Sequence, residues 1–237
     1  LSIILIVLMI LSAIPFAGLT AFAEDSDFII DENGVLTGYR GSGGSICLPE
    51  TVTEIGYAAF ENNNSITEVT IPGNIKTVGE YAFENCSNLQ KVTMLEGVEN
   101  LGQYLFIGCE KLETVILPDS IKDMGESCLF VGCSSIKSIT LPKGIKTVGF
   151  AAFSGCASLS EIILPEGLET IGGDAFWQTS LKSIVIPSSV KNIGTTAFDN
   201  YSYKTFKSIT FYTDKVKFED NAFYGFNKDI NFIDINL

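Results

Sequence analysis

A phenylalanine returns at Phe60, Phe83, Phe106, Phe130, Phe153, Phe176, Phe198 and Phe223, with gaps of 23, 23, 24, 23, 23, 22 and 25 residues. Such fixed-period self-similarity marks a chain built from stacked copies of one small unit, and it limits the fold more than local propensity does. Alanine precedes the ring at Ala59, Ala82, Ala152, Ala175, Ala197 and Ala222, and leucine takes that slot at Leu105 and Leu129. Six of the seven prolines fall in register, at Pro49, Pro72, Pro118, Pro142, Pro165 and Pro187; Leu95 and Tyr212 fill the two remaining proline slots. Glycine follows an apolar residue at Gly56, Gly79, Gly102, Gly125, Gly149, Gly172 and Gly194.

The unit reads L-x-x-I/V-x-I/L-P-x-x-I/V-x-x-I/V-G-x-x-A-F-x-x-C-x-x, and each position has a physical task. Stretches such as Leu159, Ile162, Leu164 or Leu181, Ile184, Ile186 end as short alternating strands, apolar inward and mixed outward. Proline closes the strand because it cannot donate to the ladder. A second apolar pair follows, then a glycine that permits a bend. The Ala-Phe pair plugs the convex side, where a small residue lets the coil pass and the ring fills space. No repeat holds the run of helical periodicity that a stable helix needs, so single helical or 3-10 turns are the most expected. One such coil cannot bury its own apolar edge, but a stack can. The expectation is a right-handed, curved repeat solenoid of about eight 23-residue repeats, with a parallel β-sheet on the concave face and little helix.

Flanking and irregular segments depart from this unit. Residues 24–45 break the period: Ile29 and Ile30, then Asn33-Gly34, then Val35 and Leu36 predict a β-hairpin cap, joined by Gly41-Ser42-Gly43-Gly44 to the solenoid of residues 46–237. A cap is needed because an uncovered terminal coil is a sticky edge. At the far end Phe232, Ile233 and Ile235 continue the strand pattern with no cap after them, so either the last coil caps itself or the natural protein continues. Length changes cluster where loops are expected: one extra residue between Gly125 and Phe130, one fewer after Phe176, two extra before Phe206.

Residues 1–23 read as an address. An apolar run from Leu1 to Leu11 is followed by Pro15, small residues and Ala21-Phe22-Ala23, the pattern of a signal peptide cleaved after Ala23. The start methionine and positive region that precede such a core are missing, which predicts that the natural sequence begins further upstream. A transmembrane anchor is the weaker alternative, since the apolar core is short for a bilayer span and a cleavage site follows it.

The unit, with its L-P turn, I-G bend, A-F plug and C-x-x-L return, resembles the BspA-like (Treponema pallidum-type) leucine-rich repeats of bacterial secreted and surface proteins. Asn33-Gly34-Val35-Leu36-Thr37-Gly38-Tyr39, followed by glycine-rich residues and Leu48-Pro49, is also similar to that family's leading segment. The resemblance spans residues 30–235. It implies a leucine-rich-repeat fold and a role in adhesion to other cells, host proteins or matrix.

Composition narrows the chemistry. A net charge of −13, from 28 acids against 15 bases, supplies no basic stripe for phosphates, so nucleic acid is not an expected partner. The chain has no histidine, which removes the usual general base and the commonest metal ligand. Its single arginine, Arg40, rules out a paired-arginine clamp. Neither a cofactor nor a required metal is expected, because no C-x-x-C pair or calcium-loop pattern occurs. Cys86, Cys109, Cys133 and Cys156 each lie three residues after the phenylalanine; stacked coils would present them in parallel, which favours buried structural thiols over disulfides.

The outward strand positions form two columns. One holds Glu68, Lys91, Thr114, Ser138, Glu161 and Ser183, ending at Ser208; the other holds Thr70, Thr93, Ile116, Thr140, Ile163 and Val185, ending at Thr210. Solenoids use the concave face for binding, so these columns are the candidate protein contacts, with a small apolar patch at Ile116, Ile163 and Val185. The same columns also fit a solvated face, for they lack aromatic and arginine anchors. Glu68 and Glu161 are four repeats apart, roughly 20 Å at strand spacing, too far for paired-carboxylate catalysis. Trp177, Tyr201 and Tyr203 fall in repeats of altered length and are candidate loop contacts for a sugar or a protein, while Tyr57, Tyr81 and Tyr104 are expected to pack beside the phenylalanine plug. The resulting expectation is a non-catalytic, secreted or cell-surface protein-interaction module that binds protein or surface glycan and, once processed, does not span a membrane. A polysaccharide-acting enzyme of parallel β-helix type and a structural spacer of a larger surface protein are the alternatives.

Overall fold

The structure, a computed structural model, describes residues 23–122, 124, 128–199, 206–212, 215–224 and the backbone of 231–234. Residues 1–22, the insertion beside Gly125, and Tyr201 and Tyr203 lie outside the described residues.

Alternation in the first half of each repeat yields one strand per coil: Gly44–Cys47, Ile66–Ile71, Lys91–Met94, Thr114–Ile116, Ser138–Thr140, Glu161–Ile163, Ser183–Ile186, Ser208–Phe211 and Asn231–Asp234. They run parallel and pair one period apart, Val69 with Val92, Val92 with Val115, Ile139 with Ile162 and Ile184 with Ile209. Inward residues such as Val69, Ile71, Val92, Met94, Ile184 and Ile186 are buried. The strand stops where the proline carbonyl accepts the N–H three residues on: Val52 to Pro49 at 3.0 Å, Ile75 to Pro72 at 3.1 Å, Val190 to Pro187 at 3.1 Å. Leu95 closes the same turn through its own carbonyl at 3.3 Å, so the turn survives without the proline ring.

A two-residue strand follows each turn, as at Glu54–Ile55, Thr77–Val78, Asn100–Leu101, Thr147–Val148, Thr170–Ile171, Asn192–Ile193 and Lys217–Phe218. These build a second set of parallel ladders. The glycine that follows these pairs, replaced by Glu219 after the last, has a different purpose from the expected bend. A Cβ on Gly79 would stand 2.7 Å from the carbonyl carbon of Gly56, and one on Gly102 would stand 2.4 Å from the Glu80 nitrogen. Consecutive coils therefore touch backbone to backbone here, and only glycine fits. The Gly79 and Gly102 N–H groups use that proximity to donate to Ile55 and Val78 carbonyls, both at 2.7 Å.

The Ala-Phe plug lies on a turn, and its rings form one file. Successive centroids from Phe60 to Phe198 are 4.9–5.6 Å apart with planes within 16° of parallel, and Phe223 continues the file 5.6 Å beyond Phe198. Seven of these rings are essentially sealed from solvent. The backbone ladder beside them runs one way: Ala58, Phe60 and Asn62 donate to the carbonyls of Glu80, Ala82 and Glu84 in the next coil.

The antiparallel hairpin of Phe28–Ile30 and Val35–Tyr39 precedes the coils. Its turn is held by the Asp31 carboxylate, which accepts the N–H groups of Asn33 and Val35 at 2.9 Å and is kept below the usual carboxylate range, the Val35 bond contributing most. Leu36 pairs in parallel with Ile55, and its carbonyl accepts the Gly56 N–H at 2.8 Å. Phe28 and Tyr39, 5.2 Å apart, lead the aromatic file onto Phe60, 5.7 Å from Tyr39. The hairpin thus extends both a sheet and the ring file.

None of the six cysteines is in a disulfide, and the four in the repeat slot are buried. Each thiol donates to the phenylalanine carbonyl of the preceding coil: Cys86 to Phe60 at 3.0 Å, Cys109 to Phe83 and Cys133 to Phe106 at 3.1 Å, Cys156 to Phe130 at 3.2 Å. Asn63, in the first coil, turns its carboxamide oxygen onto the N–H groups of Ser65 and Ile66 instead.

Candidate interaction face

The parallel register carries the two outward columns across the strands. Glu68 lies beside Lys91 and Lys91 beside Thr114; Ser138 lies beside Glu161 and Ser183 beside Ser208. In the second column Thr70 neighbours Thr93, Thr93 neighbours Ile116, Thr140 neighbours Ile163 and Val185 neighbours Thr210. Glu68, Thr114, Ile116, Ser138, Thr140, Glu161, Ile163, Ser183 and Val185 are exposed, while Thr70, Lys91 and Thr93 are half-buried. Both columns extend one coil further back than expected. Ser45 pairs with Glu68 and Cys47 with Thr70, which puts the exposed Cys47 thiol at the head of the second column. Extending the 23-residue period backwards by one coil was signal enough to find them.

Aliphatic exposure is concentrated on this face. Ile163 is 72% exposed, and Ile116 and Val185 are each 48% exposed. Ile163 and Val185 occupy the same slot in adjacent coils and share an open depression of about 360 Å³ with Glu161, Glu166, Ser183 and Pro187. Glu166 comes from the turn after Pro165 and escaped a reading confined to strand positions. Two carboxylates therefore border one depression. Both are exposed to water. Among the described residues no group of three or more histidine, cysteine or acidic side chains could hold a metal ion.

Other predicted contacts lie elsewhere. Trp177 is 37% exposed and sits on the turn that carries Phe176, away from the long strands. Tyr57, Tyr81 and Tyr104 do not pack beside the plug. Tyr57 is 70% exposed, and the three rings gather on the outside of the first coils. For Tyr81 and Tyr104 the cause lies in the backbone: the slot two residues before each phenylalanine is left-handed, with φ of 57° and 59° at these two, which throws the side chain outward, whereas Ala58 holds that slot beside Tyr57.

Stacked parallel coils, a sealed aromatic file and one broad strand face define a repeat solenoid of the protein-interaction class. The chain matches the BspA type leucine rich repeat region over residues 42–131 and 126–236, in six copies, and it belongs to that family. Among solved structures it is similar to a leucine-rich cell surface protein from Faecalibacterium prausnitzii (28% identity, TM-score 0.68), covering 84% of this chain and 58% of that one. A leucine-rich repeat protein from Bacteroides ovatus is 27% identical with a TM-score of 0.53, covering 87% of this chain and 69% of that one. The T. pallidum leucine-rich repeat protein shares the fold at 23% identity and TM-score 0.60, covering 87% and 91% of the two chains. The chain thus spans little more than half the length of the Faecalibacterium protein. A search among curated proteins finds no match. Among the described residues no helix is long and apolar enough to cross a membrane.

Proposed function

We propose that this chain is an extracellular adhesion module that binds protein on host or neighbouring cells through its long-strand face, centred on Ile163 and Val185. The observation that carries this reading is that Ile163 and Val185, both exposed, fill the same slot in adjacent coils and border one depression, on a face otherwise lined mainly by polar side chains. A face kept only for solubility has no need of aliphatic side chains there, whereas the core of an interface does. Its similarity to a solved leucine-rich protein named as a cell surface protein supports the extracellular setting. Residues 1–23 then act as a signal peptide cleaved after Ala23, residues 24–45 as the cap, and residues 46–237 as the binding array.

The test is retention of the full chain on immobilised extracellular-matrix proteins and on whole cells. The wild type should be compared with a double variant, Ile163→Glu and Val185→Lys, and with Trp177→Ser. Binding should weaken about tenfold or more in the double variant, as expected for loss of an interface centre, and persist in Trp177→Ser. Equal binding by all three contradicts the assignment of the face. Turnover of a polysaccharide that disappears with Glu161→Gln would establish the enzymatic alternative instead. If only a longer natural protein containing this array binds, the array is a spacer.

A further inference from the structure

A second surface stands apart from the long strands. Tyr81 and Tyr104 stack 4.8 Å apart with planes 9° from parallel, and Tyr57 meets Tyr81 edge-on at 5.5 Å. All three follow the glycine file, on the corner between the short strands and the phenylalanine turn. Tyr57 is 70% exposed, and the other two are half-buried. Nothing in the repeat requires rings here, because the equivalent left-handed slot holds Ala58, Ala151, Asp174, Thr196 and Asn221 in other coils. A left-handed backbone suits asparagine, aspartate or glycine and is unfavourable for a bulky side chain. Tyrosine nevertheless occupies it twice running, with its rings outside the core. Such an exposed aromatic group, held against the local backbone preference, is the kind of feature that a ligand accounts for.

Charge selects the ligand. Nine glutamates and two lysines lie between Gly41 and Glu110, with no aspartate or arginine. Both lysines are placed elsewhere. Lys76 donates to the Gly97 carbonyl at 2.9 Å, and Lys91 stands on a long strand. Glu80 and Glu84 act electrostatically on the Tyr81 phenol, which is raised by desolvation first, then by Tyr104, Tyr57 and these two carboxylates. Electron-rich rings, phenol oxygens and two carboxylates that form no ion pair among the described residues complement a guanidinium or ammonium group, which stacks on the ring while pairing with the acid.

We propose that the Tyr57–Tyr81–Tyr104 platform, with Glu80 and Glu84, docks an arginine- or lysine-rich peptide segment of a partner protein. This surface and its ligand are independent of the long-strand face.

Titration of the full chain with hexa-arginine and hexalysine peptides, followed by tyrosine fluorescence and calorimetry, tests the proposal. A hexa-serine peptide and a neutral glucose hexasaccharide serve as controls. Saturable binding of the basic peptides alone is expected, weakening as salt is raised. A triple variant, Tyr57→Ser with Tyr81→Asn and Tyr104→Asn, should weaken it about tenfold or more, because asparagine suits the left-handed slot and the cation loses its ring. Glu80→Gln with Glu84→Gln should weaken it less and flatten the salt dependence. An unchanged melting temperature certifies folding, and Glu68→Gln with Glu161→Gln, on the other face, should bind as wild type. Equal loss in that last variant, or undiminished binding by the tyrosine variant, would show diffuse attraction to an acidic protein and overturn the platform. Preference for the hexasaccharide, or no binding of basic peptide, would overturn it as well.

Discussion

The Cys109 thiol shows how one side chain serves two coils. It is buried, donates to the Phe83 carbonyl of the previous coil, and completes the packing behind Phe106. Burial raises the pKa of the Cys133 and Cys156 thiols, and Cys109 rises too, led by its hydrogen bond with Cys86. Such thiols hold no thiolate near neutral pH and react poorly. Burial also shields them from reagent, so in native protein treated with iodoacetamide, mass spectrometry should find the exposed Cys47 labelled and the buried Cys86, Cys109, Cys133 and Cys156 unlabelled until denaturant is added. Labelling of the four without unfolding would contradict their placement. The cysteine spacing made burial legible in advance, but the carbonyl partner was not, because it depends on how far one coil is offset from the next. Ionic side chains also bridge coils. Lys122 hydrogen-bonds Glu99, with Lys76 3.8 Å from it on the other side, and both lower the Glu99 pKa, Lys122 the more strongly. A carboxyl depressed in the folded state stabilises above its unfolded pKa and loses that contribution as pH falls through the lower folded value. Glu99→Gln should consequently melt below wild type at pH 7, and the gap should close below about pH 4. A gap independent of pH would show that the pair contributes no charge-dependent stability.

At the scale of the coil, three files replace the interdigitated core of a globular domain: aliphatics under the strands, glycines at the corner and phenylalanines on the turn. The period alone revealed the first and third, since burial by stacking demands the same side chain at every turn. The glycines were visible in the sequence, yet their reason was not. Their backbone is not left-handed, and the close approach that requires them depends on the distance between coils. The tyrosine platform was hidden for the same kind of reason. Only the left-handed slot determines that Tyr81 and Tyr104 turn outward while Phe83 and Phe106, two residues later, turn inward. The phenylalanine file also sets the cost of damage. Phe130, fully buried between rings 5.4 and 5.3 Å away, should cost about 3–5 kcal/mol when replaced by alanine, read from the urea midpoint. An effect below about 1 kcal/mol would mean that the file adds little beyond filling space.

Across the whole molecule, the architecture separates what repeats from what varies. Everything that repeats strictly is inside or on the turns, and what varies from coil to coil lies on the long strands and the outer corner. The outward columns could be listed from the sequence because strand alternation dictates them, whereas the depression at Ile163 and Val185 could not, since Glu166 and Pro187 reach it from turns. The proposed seat of a protein partner is the long-strand face. Its most direct test is hydroxyl-radical footprinting of the chain, free and bound to the matrix or cell-surface partner it retains. Oxidation of Ile116, Ile163 and Val185 should fall several-fold on binding while that of Trp177 is unchanged. Undiminished oxidation of Ile163 and Val185 in the bound state would contradict it.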